Sequence, residues 1–588
     1  MEIDGFGGKG TQLPEATIGP ANNFQPQAYG NVEKEWVGNV TWVKANHTVR
    51  AGADFDQQQD NESFLQATFC TGAGGFQFSQ GTTQLKGGPA GNDYNAFAAF
   101  LLGLPVNAGK VTLNPPEYHD YANIFGVYVR DQWQVNSRLS LTLGTRWDYY
   151  PFATRGSRGM EYLNAPANRM IICGIAGTPK NCGITKDSNR FEPRGGFAYR
   201  ITDKIVFRAG YGLSTDPTFV GGTTGNRQNF PDLSVSTLAA PNSFSYATTL
   251  RIGLPVAPVP DYSSGSVPVP TTSGVFTVDN HTYSRGYIQS WNATLEQQFA
   301  GGWMGSVGYV ATRTIHPLTV LNANWSPIGT GSAGQILNVL AGRTGITSTI
   351  STEGIAKYDS LQARLSHAFS NNFQTTGTYT WAHGAGYTTQ VAIPAYFPLN
   401  YGPLGTVSRH AVGMTVVVSS PFGKNQRWMT DGFGGAVLGG WQLQAVSTLR
   451  TGTPFTVTDS NTTLNASGST QFADCVVTPV KLGSINQWYS TSSFAHPTTG
   501  RFGTCRTNSL TGPGLAVLDM GVARIFPLKE HLNLEVRASL FNTPNTPHHA
   551  NPTSSFSSSS FMQALGIANT GRDGIDQRTG QISARLSW

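Results

Sequence analysis

Three features of this 588-residue sequence predict an all-β fold, a transmembrane antiparallel β-barrel. Apolar and polar residues alternate along long segments, short turns alternate with long connections, and no apolar run is long enough for a membrane-spanning helix. A membrane protein without such helices needs a closed barrel, because every backbone polar group must be paired in lipid.

The composition agrees with a barrel and excludes several other classes. Only 12% of residues are charged, against about 25% in an ordinary globular protein. Hydrophobic residues make up 39%, which is too few for a helical membrane protein and fits strands that are half apolar and half small-polar. The net charge of +6 is spread along the chain without a cluster of Lys and Arg, so no nucleic-acid partner is predicted.

The alternation is clearest between residues 139 and 149. Every second residue from Leu139 is apolar or aromatic except Thr145, and the residues between them are Ser, Thr, Gly, Arg and Asp. Side chains alternate across a strand, so one face is apolar and the other polar. A soluble sandwich would bury the apolar face, whereas a barrel in lipid turns it outward.

The length of the alternating segments favours the barrel. Soluble strands are typically about 5–6 residues long, whereas membrane-spanning strands need about 9–11. The long segments are Tyr118–Gln134, Arg138–Tyr150, Lys204–Ser214, Tyr287–Phe299, Lys357–Phe369, Asn372–His383, Val407–Ser419, Trp441–Thr451 and Leu532–Phe541.

The connections predict which rim of the barrel faces which side. Tight turns are predicted at Ala45–His47, Asn136–Ser137, Thr202–Lys204, Gly301–Trp303, Asn371–Asn372, Phe422–Arg427 and Lys529–His531. Long loops are predicted at 59–117, 151–189, 216–280, 314–356, 384–404 and 459–512. Short periplasmic turns and long extracellular loops are the layout of outer-membrane barrels. The count gives about 15–16 strands.

The last strand carries a candidate assembly signal. Ile582, Ala584, Leu586 and Trp588 form its apolar face, and the chain ends on an aromatic residue. Such an end is typical of the signal that outer-membrane proteins present to the barrel assembly machinery. The alternative is a sheet protein that happens to end in a strand.

Charged residues on the polar faces are candidates for lining the lumen. They are Arg130, Arg146, Arg208, Arg364, Glu535 and Arg537. They could steer anionic ligands or contact a plug domain. The simpler interpretation, which we favour, is that they pair with charges on neighbouring strands across a wet interior.

Four cysteines are expected to form loop disulfides. Cys173 and Cys182 lie in one Gly/Asn-rich loop, and Cys475 and Cys505 lie in another. No CxxC pair is present, so a zinc site is not predicted. An oxidising compartment would support the disulfides, and the alternative is that all the cysteines are unpaired.

No catalytic or metal site is predicted. The sequence lacks a G-x-S-x-G elbow, an H-E-x-x-H motif and a phosphate-binding loop. Adjacent histidines such as His548 and His549 point to opposite faces of an extended segment, so they suit a loop better than a metal. We therefore expect neither an enzyme nor a cofactor.

Several segments, in order, resemble the barrel of Oar-like TonB-dependent transporters. They are Tyr128–Val135, Arg138–Trp147, Arg190–Phe197, Ser408–His410, Ser420–Lys424, Gly439–Gln442, Thr451–Phe455 and Leu534–Asn542. The resemblance runs from about residue 30 to the end of the chain. It implies a barrel of about 22 strands, filled by a plug domain and coupled to the TonB complex.

The resemblance also sets the expected domain organisation. Residues 1–30 are expected to be an irregular N-terminal segment, and residues 31–588 the C-terminal part of the barrel. No signal peptide, TonB box or plug domain is readable, so we expect a fragment whose TonB coupling depends on N-terminal parts that it lacks. If the chain closes a smaller ring alone, a ladder should join residues of about 33–44 and 578–588.

The implied function is uptake of a bulky, scarce substrate across the outer membrane of a Gram-negative-type bacterium. The expected partners are outer-membrane lipid, the barrel assembly machinery, the TonB complex and an unknown extracellular substrate. One alternative is a structural or secretion-related outer-membrane barrel without active import. Another is a secreted soluble β-rich protein that binds glycans through loop aromatics such as Trp325 and Trp488.

Overall fold

Fifteen long strands of one antiparallel sheet dominate the described part of the chain. The computed structural model describes residues 2–4, 27–64, 74–113, 118–184, 189–216, 230–254, 260–279, 281, 283–370, 372–387, 390–460, 462–529, 531–568 and 577–588. The long strands are β1 Gln27–Lys44, β2 His47–Phe64, β3 Tyr118–Gln134, β4 Leu139–Tyr149, β5 Asn189–Thr202, β6 Ile205–Thr215, β7 Tyr287–Gln298, β8 Trp303–Ile315, β9 Ile355–Ser370, β10 Phe373–Tyr387, β11 His410–Ser419, β12 Trp441–Arg450, β13 Leu515–Lys529, β14 Leu532–Phe541 and β15 Thr579–Ser587.

The strands form a simple meander. Each strand from β1 to β15 pairs antiparallel with the next one along the chain. Three short strands, Thr154–Arg155, Arg158–Gly159 and Tyr401–Pro403, extend the same sheet. Within the described residues no ladder joins β1 to β15, so the pairing expected for a smaller closed ring is not formed. The expected fold class and strand number are confirmed.

Strand positions follow the sequence pattern closely. Tyr118–Gln134 and Leu532–Phe541 have the predicted bounds, and the other predicted strands differ by a few residues at their ends. Three details differ from expectation. The connection predicted as a tight turn at Phe422–Arg427 runs on to residue 440 and contains a helix. Strands β2 and β10 continue to Phe64 and Tyr387, into segments predicted as loops. The first long strand begins at Gln27.

The register sorts all strands into two common faces. Arg146 and Asp148 of β4 lie on what we call the polar face, and Leu143, Trp147 and Tyr149 lie on the apolar face. Leu143 is 56% exposed, which would be costly in water. Exposed aromatic and aliphatic side chains continue along this face on every long strand except β2, as a lipid-facing surface requires.

Several aromatic residues near the strand ends lie on the apolar face by register. Trp133, Trp147, Tyr149, Trp303 and Trp381 all occupy it. Trp303 and Trp133 lie near the short turns, whereas Tyr149 and Trp381 lie near the long connections. Two aromatic levels at the strand ends fit the two interfaces of a bilayer.

Short and long connections alternate, so the long ones share one rim. The short turns include Ala45 and Asn372, whose positive φ values of 49° and 66° suit tight reversals. The long connections contribute small separate sheets in the described residues. Two have four strands, Glu2–Asp4 with Gly75–Gln77, Asn107–Leu113 and Leu233–Ala239, and Val275–Val278 with Thr319–Asn322, Thr347–Ser351 and Gln390–Val391; one has three strands, Glu161–Asn164, Arg169–Ile172 and Ser266–Pro268. The others are two-stranded: Pro454–Phe455 with Leu510–Thr511, Thr458–Asp459 with Gln471–Phe472, Asp474–Cys475 with Phe494–Ala495, and Lys481–Ser484 with Gln487–Tyr489.

Helices are few and short in the described residues. The α-helices are α1 Asp93–Leu101, α2 Ile336–Ala341 and α3 Gly432–Leu438. The 3-10 helices are Gln80–Thr83, Ala300–Gly302, Gly331–Gly334, Pro394–Asn400 and Thr491–Ser493. No helix in the described ranges is both long and apolar enough to cross a membrane.

The hydrophobic cores lie in the long connections rather than inside the sheet. One cluster joins Phe152, Val278, Tyr283 and Ile350, which come from three different connections. A second joins Phe455 and Tyr489 of the β12–β13 connection to Phe561 and Met562 of the β14–β15 connection. The connections therefore pack against one another, and we call this packed layer the loop cap.

Candidate functional site: the polar face and the loop cap

The six charged residues expected in the lumen all lie on the polar face. The register places Arg130, Arg146, Arg208, Arg364, Glu535 and Arg537 on it. Arg208 contacts Glu296 of β7 at 3.2 Å, and Arg537 contacts Glu535 at 2.9 Å. Arg364 has no ion pair among the described residues. That this face lines a lumen stays a prediction.

Arg146 forms the best-organised bridge on this face. Its two terminal nitrogens donate to the carboxylate oxygens of Asp54 at 2.8 and 2.7 Å, and its Nε donates to Asp148 at 2.6 Å. Asp54 is on β2 and Arg146 on β4, so the guanidinium crosses over β3 between them. A paired, hydrogen-bonded arginine ties three strands together.

A glycine makes room for this bridge. Gly126 of β3 lies opposite Asp54 on one side and Asp148 on the other. A Cβ atom at Gly126 would come within 2.0 Å of Arg146 Nη2 and 2.5 Å of Asp148 Oδ1. A side chain at this position is therefore incompatible with the bridge.

A row of three arginines crosses the polar face beside the bridge. Arg50 of β2 lies directly opposite Arg130 of β3, and Gly144 of β4 separates Arg130 from Arg194 of β5. Arg194 pairs with Glu192 at 2.9 Å, whereas Arg50 and Arg130 make no ion pair with any described residue. The three arginines line a cavity of about 670 Å³ whose lining is also rich in glycine.

Sequence analysis identified Arg130 but missed Arg50 as its neighbour. The signal was present, because Arg50, Asp54 and Asp56 follow the same two-residue period. Their pairing with Arg130 depends on the register between β2 and β3, which are separated by the long residue 65–117 connection. Like charges directly opposite each other repel, so an anion bound between Arg50 and Arg130 would relieve this repulsion.

A buried ion cluster fixes the loop cap beside the beginning of β3, where Arg155 lies opposite Asp120. Arg155 and Arg158 contact the carboxylate of Glu161 at 3.0 and 3.2 Å, and both arginines contact Asp232. Glu161 and Asp232 are fully buried. Burial raises the pKa of Glu161 to about 7, against the lowering effect of Arg155. Burial and the adjacent Asp232 raise the pKa of Tyr262, whose hydroxyl donates to Asp232 at 2.8 Å.

Two disulfides strengthen the loop cap. The structure joins Cys173 to Cys182 and Cys475 to Cys505. Each belongs to one of the two hydrophobic clusters described above. The cap is thus held by packing, ion pairs and covalent cross-links together.

His548 and Trp488, the other residues considered above, are held by hydrogen bonds to backbone carbonyl groups. His548 is buried and its Nε2 lies 2.8 Å from the carbonyl oxygen of Ala516. Within the residues that the structure describes, no group of three or more His, Cys, Asp or Glu is placed to hold a metal. Trp488 donates through its indole N–H to the carbonyl of Thr511 and packs against the second hydrophobic cluster.

The terminal strand lies at one edge of the sheet. Ile582, Ala584 and Leu586 are opposite Ala538, Val536 and Leu534, all on the apolar face. Ile582 is 81% exposed and Trp588 is 90% exposed. Their role as an assembly signal stays a prediction.

Three solved structures resemble this chain at low sequence identity. The outer membrane transporter YddB from Escherichia coli has 9% identity and a TM-score of 0.49, with 100% of this chain and 57% of that chain covered. A mutant of the ferric enterobactin receptor PfeA from Pseudomonas aeruginosa has 9% identity and a TM-score of 0.45, with 95% and 54% covered. The siderophore receptor PirA from Acinetobacter baumannii has 9% identity and a TM-score of 0.44, with 100% and 58% covered.

The chain thus spans little more than half the length of these proteins. No curated protein matches it significantly. The family model described as "Outer membrane beta barrel domain" matches residues 4–581, almost the whole chain. The match confirms the expected β-barrel class and the expected location in the outer membrane of a Gram-negative-type bacterium. The chain belongs to the outer-membrane β-barrel domain family.

Proposed function

We propose that this chain is the outer-membrane barrel part of a TonB-dependent transporter of the Oar-like type. In the complete protein it would take up a bulky, scarce substrate, with energy supplied through TonB. The proposal gives the chain a transport role rather than an enzymatic one. The barrel assembly machinery would insert it, and outer-membrane lipid would surround its apolar face.

The observation that carries the proposal is the folded loop cap. A barrel that only displays loops has no need to pack them together. Here connections from three hairpins share one hydrophobic cluster, and a second cluster and two disulfides restrain the rest. A preorganised surface loses less conformational entropy on binding, so it suits selective capture of a ligand.

The polar face supports passage of a charged substrate. Arg50 and Arg130 lie side by side without an ion pair to any described residue, next to a glycine-rich wall. Unneutralised cations in a confined polar space attract anions. Ferric siderophores, acidic glycan fragments and acidic peptides are the substrate classes that this charge favours.

Uptake by the bacterium that makes the protein tests the proposal. Wild-type cells and cells lacking the gene would be given radiolabelled members of each substrate class, with and without a protonophore. We expect accumulation of one class to need both the gene and the proton gradient. Equal accumulation in the deletion strain for every class would support a structural or secretion-related barrel instead.

A solubility test separates the remaining alternative. The protein from the host envelope should need detergent for extraction and should change its gel mobility on boiling, as folded barrels do. Release by buffer alone would support the secreted glycan-binding protein and contradict both barrel functions.

A further inference from the structure

The connection between β11 and β12, residues 420–440, contains an exposed apolar helix. Helix α3 has the sequence Gly-Phe-Gly-Gly-Ala-Val-Leu and carries no polar side chain. Phe433 is 85% exposed, and Val437 and Leu438 are about 45% exposed. Trp428 and Met429, just before the helix, are also half exposed. A cluster of this kind is unfavourable in water.

The helix lies at the short-turn rim, against the apolar face of the sheet. The indole N–H of Trp441 donates to the carbonyl of Val437 at 2.9 Å. Arg524, directly opposite Trp441 on β13, donates to the carbonyls of Ala436 and Val437. Its guanidinium also lies over the rings of Trp441 and Phe526, at 5.4 and 4.7 Å. The helix end is therefore fixed to side chains of the lipid-facing surface.

Close glycine contacts make this segment compact. Gly423 has a φ of +100°, and a Cβ there would come within 2.9 Å of the Cα of Gly439. A Cβ at Gly435 would come within 2.3 Å of the carbonyl oxygen of Met429. The segment can fold back on itself only because these positions have no side chain. Its apolar exposure is thus part of an ordered fold.

Basic residues flank the apolar cluster. Lys424 and Arg427 are exposed, and the guanidinium of Arg427 lies 5.2 Å from the centre of the Trp428 ring. Aromatic and aliphatic side chains next to Lys and Arg are the composition of helices that lie in a membrane interface. The basic groups can reach lipid phosphates while the apolar side chains enter the acyl region.

We propose that residues 420–440 form an interfacial anchor that inserts into the periplasmic leaflet of the outer membrane. The occupant of the exposed surface is lipid, because the surface continues the apolar face of β12 and β13, which already contacts lipid in this family. The anchor would hold one sector of the barrel at a fixed depth. This inference rests on the outer-membrane location and is independent of the substrate.

Depth-dependent fluorescence quenching tests the anchor. The protein would be reconstituted in vesicles of phosphatidylethanolamine and phosphatidylglycerol, with Cys70 replaced by Ser, since the other four cysteines are in disulfides. An environment-sensitive NBD dye would be attached at Phe433→Cys. Asp203→Cys, in the short β5–β6 turn, is the matched control at the same rim, and Leu443→Cys is a control on the apolar face.

The account predicts blue-shifted NBD emission at positions 433 and 443, quenched by nitroxide-labelled lipid and protected from aqueous iodide. Position 203 should show the reverse. Quenching at 443 but aqueous behaviour at 433 would overturn the anchor alone. Aqueous behaviour at both would contradict membrane insertion of the sheet itself. Protection at 433 that depends on protein concentration and not on nitroxide lipid would mean that a second copy covers the helix.

A charge variant provides a second readout. Lys424→Gln with Arg427→Gln should weaken quenching at position 433 in vesicles containing phosphatidylglycerol and have little effect in phosphatidylcholine vesicles. No difference between the two lipid compositions would contradict the role of these cations.

Discussion

Substitution Gly126→Ala probes the cross-strand bridge of Arg146. The added Cβ would occupy the space of Arg146 Nη2, 2.0 Å away, so the guanidinium must move from Asp54. The contact is with the end of a flexible side chain, and the cost is therefore the lost bridge rather than a backbone clash. Hydrogen bonds to charged groups contribute about 1.5–3 kcal/mol, so we expect a loss of about 2 kcal/mol in the free energy of unfolding.

Gly38→Ala is the matched control for this substitution. Gly38 is also a strand glycine, on β1, and a Cβ there meets no atom within 4 Å. It measures the effect of Ala on the unfolded chain, which stabilises by about 0.4–1 kcal/mol, together with the transfer of one methyl group to detergent on the apolar face. Urea unfolding in detergent, followed by the band that changes mobility on boiling, gives both free energies.

A double variant decides whether the bridge is the cause. In the Arg146→Gln background the shorter side chain leaves space, so Gly126→Ala should cost much less than in the wild type. Equal stability of Gly126→Ala and Gly38→Ala, or an equal cost in both backgrounds, would show that the Arg146 bridge does not stabilise the sheet.

Three further predictions concern the loop cap and the arginine row. Cys475→Ser should lower the stability of the cap more than Cys173→Ser, because loop-closure entropy stabilises by about 3.6 kcal/mol for a separation of 30 residues and by about 2.6 kcal/mol for a separation of 9 residues. Limited proteolysis of the cap measures the loss of stability. An equal rise in cleavage for the two variants would contradict this order. The raised pKa of Glu161 means that the folded cap keeps a proton that the unfolded chain loses near the ordinary pKa of 4.5, so the stability of the cap should fall as pH rises from about 4.5 to 7 and then level off. Glu161→Gln should remove this pH dependence. A cap that becomes more resistant to protease over that pH range would show that the predicted sign is wrong. Arg50→Gln should raise the free energy of unfolding by about 0.2–1 kcal/mol, because it relieves the repulsion from Arg130. It should also reduce any stabilisation by added phosphate. A lower free energy of unfolding in urea would show that Arg50 has a stabilising partner.

The sheet was predictable because its signal is local. A two-residue period identifies a strand such as Tyr118–Gln134 without knowledge of its neighbours, and the period also assigns Arg146 and Leu143 to opposite faces. Pairing of successive strands then follows from the short turns. Arg50 was not predicted from the sequence, because its importance comes from Arg130, which lies on the far side of a long connection.

The loop cap was not predictable for the opposite reason. The Pro-rich stretch Leu254–Pro270 looks like an extended loop, yet Val267 and Val269 are buried against Met170 and Ile172. Their partners lie about a hundred residues away, and no periodicity marks the contact. The apolar helix at residues 432–438 was likewise not predicted, because its three glycines are typical of turns.

Cysteine scanning along β4 tests whether the sheet spans the membrane with the assigned faces. Single cysteines at positions 139 to 149 would be examined in the outer membrane of the host, using a water-soluble maleimide and nitroxide-labelled lipid. We expect strict alternation, with positions such as 143 and 147 in contact with lipid and positions such as 142 and 144 open to water. Uniform access to water on both faces, or lipid contact at the polar positions, would contradict a membrane-spanning sheet with the assigned faces.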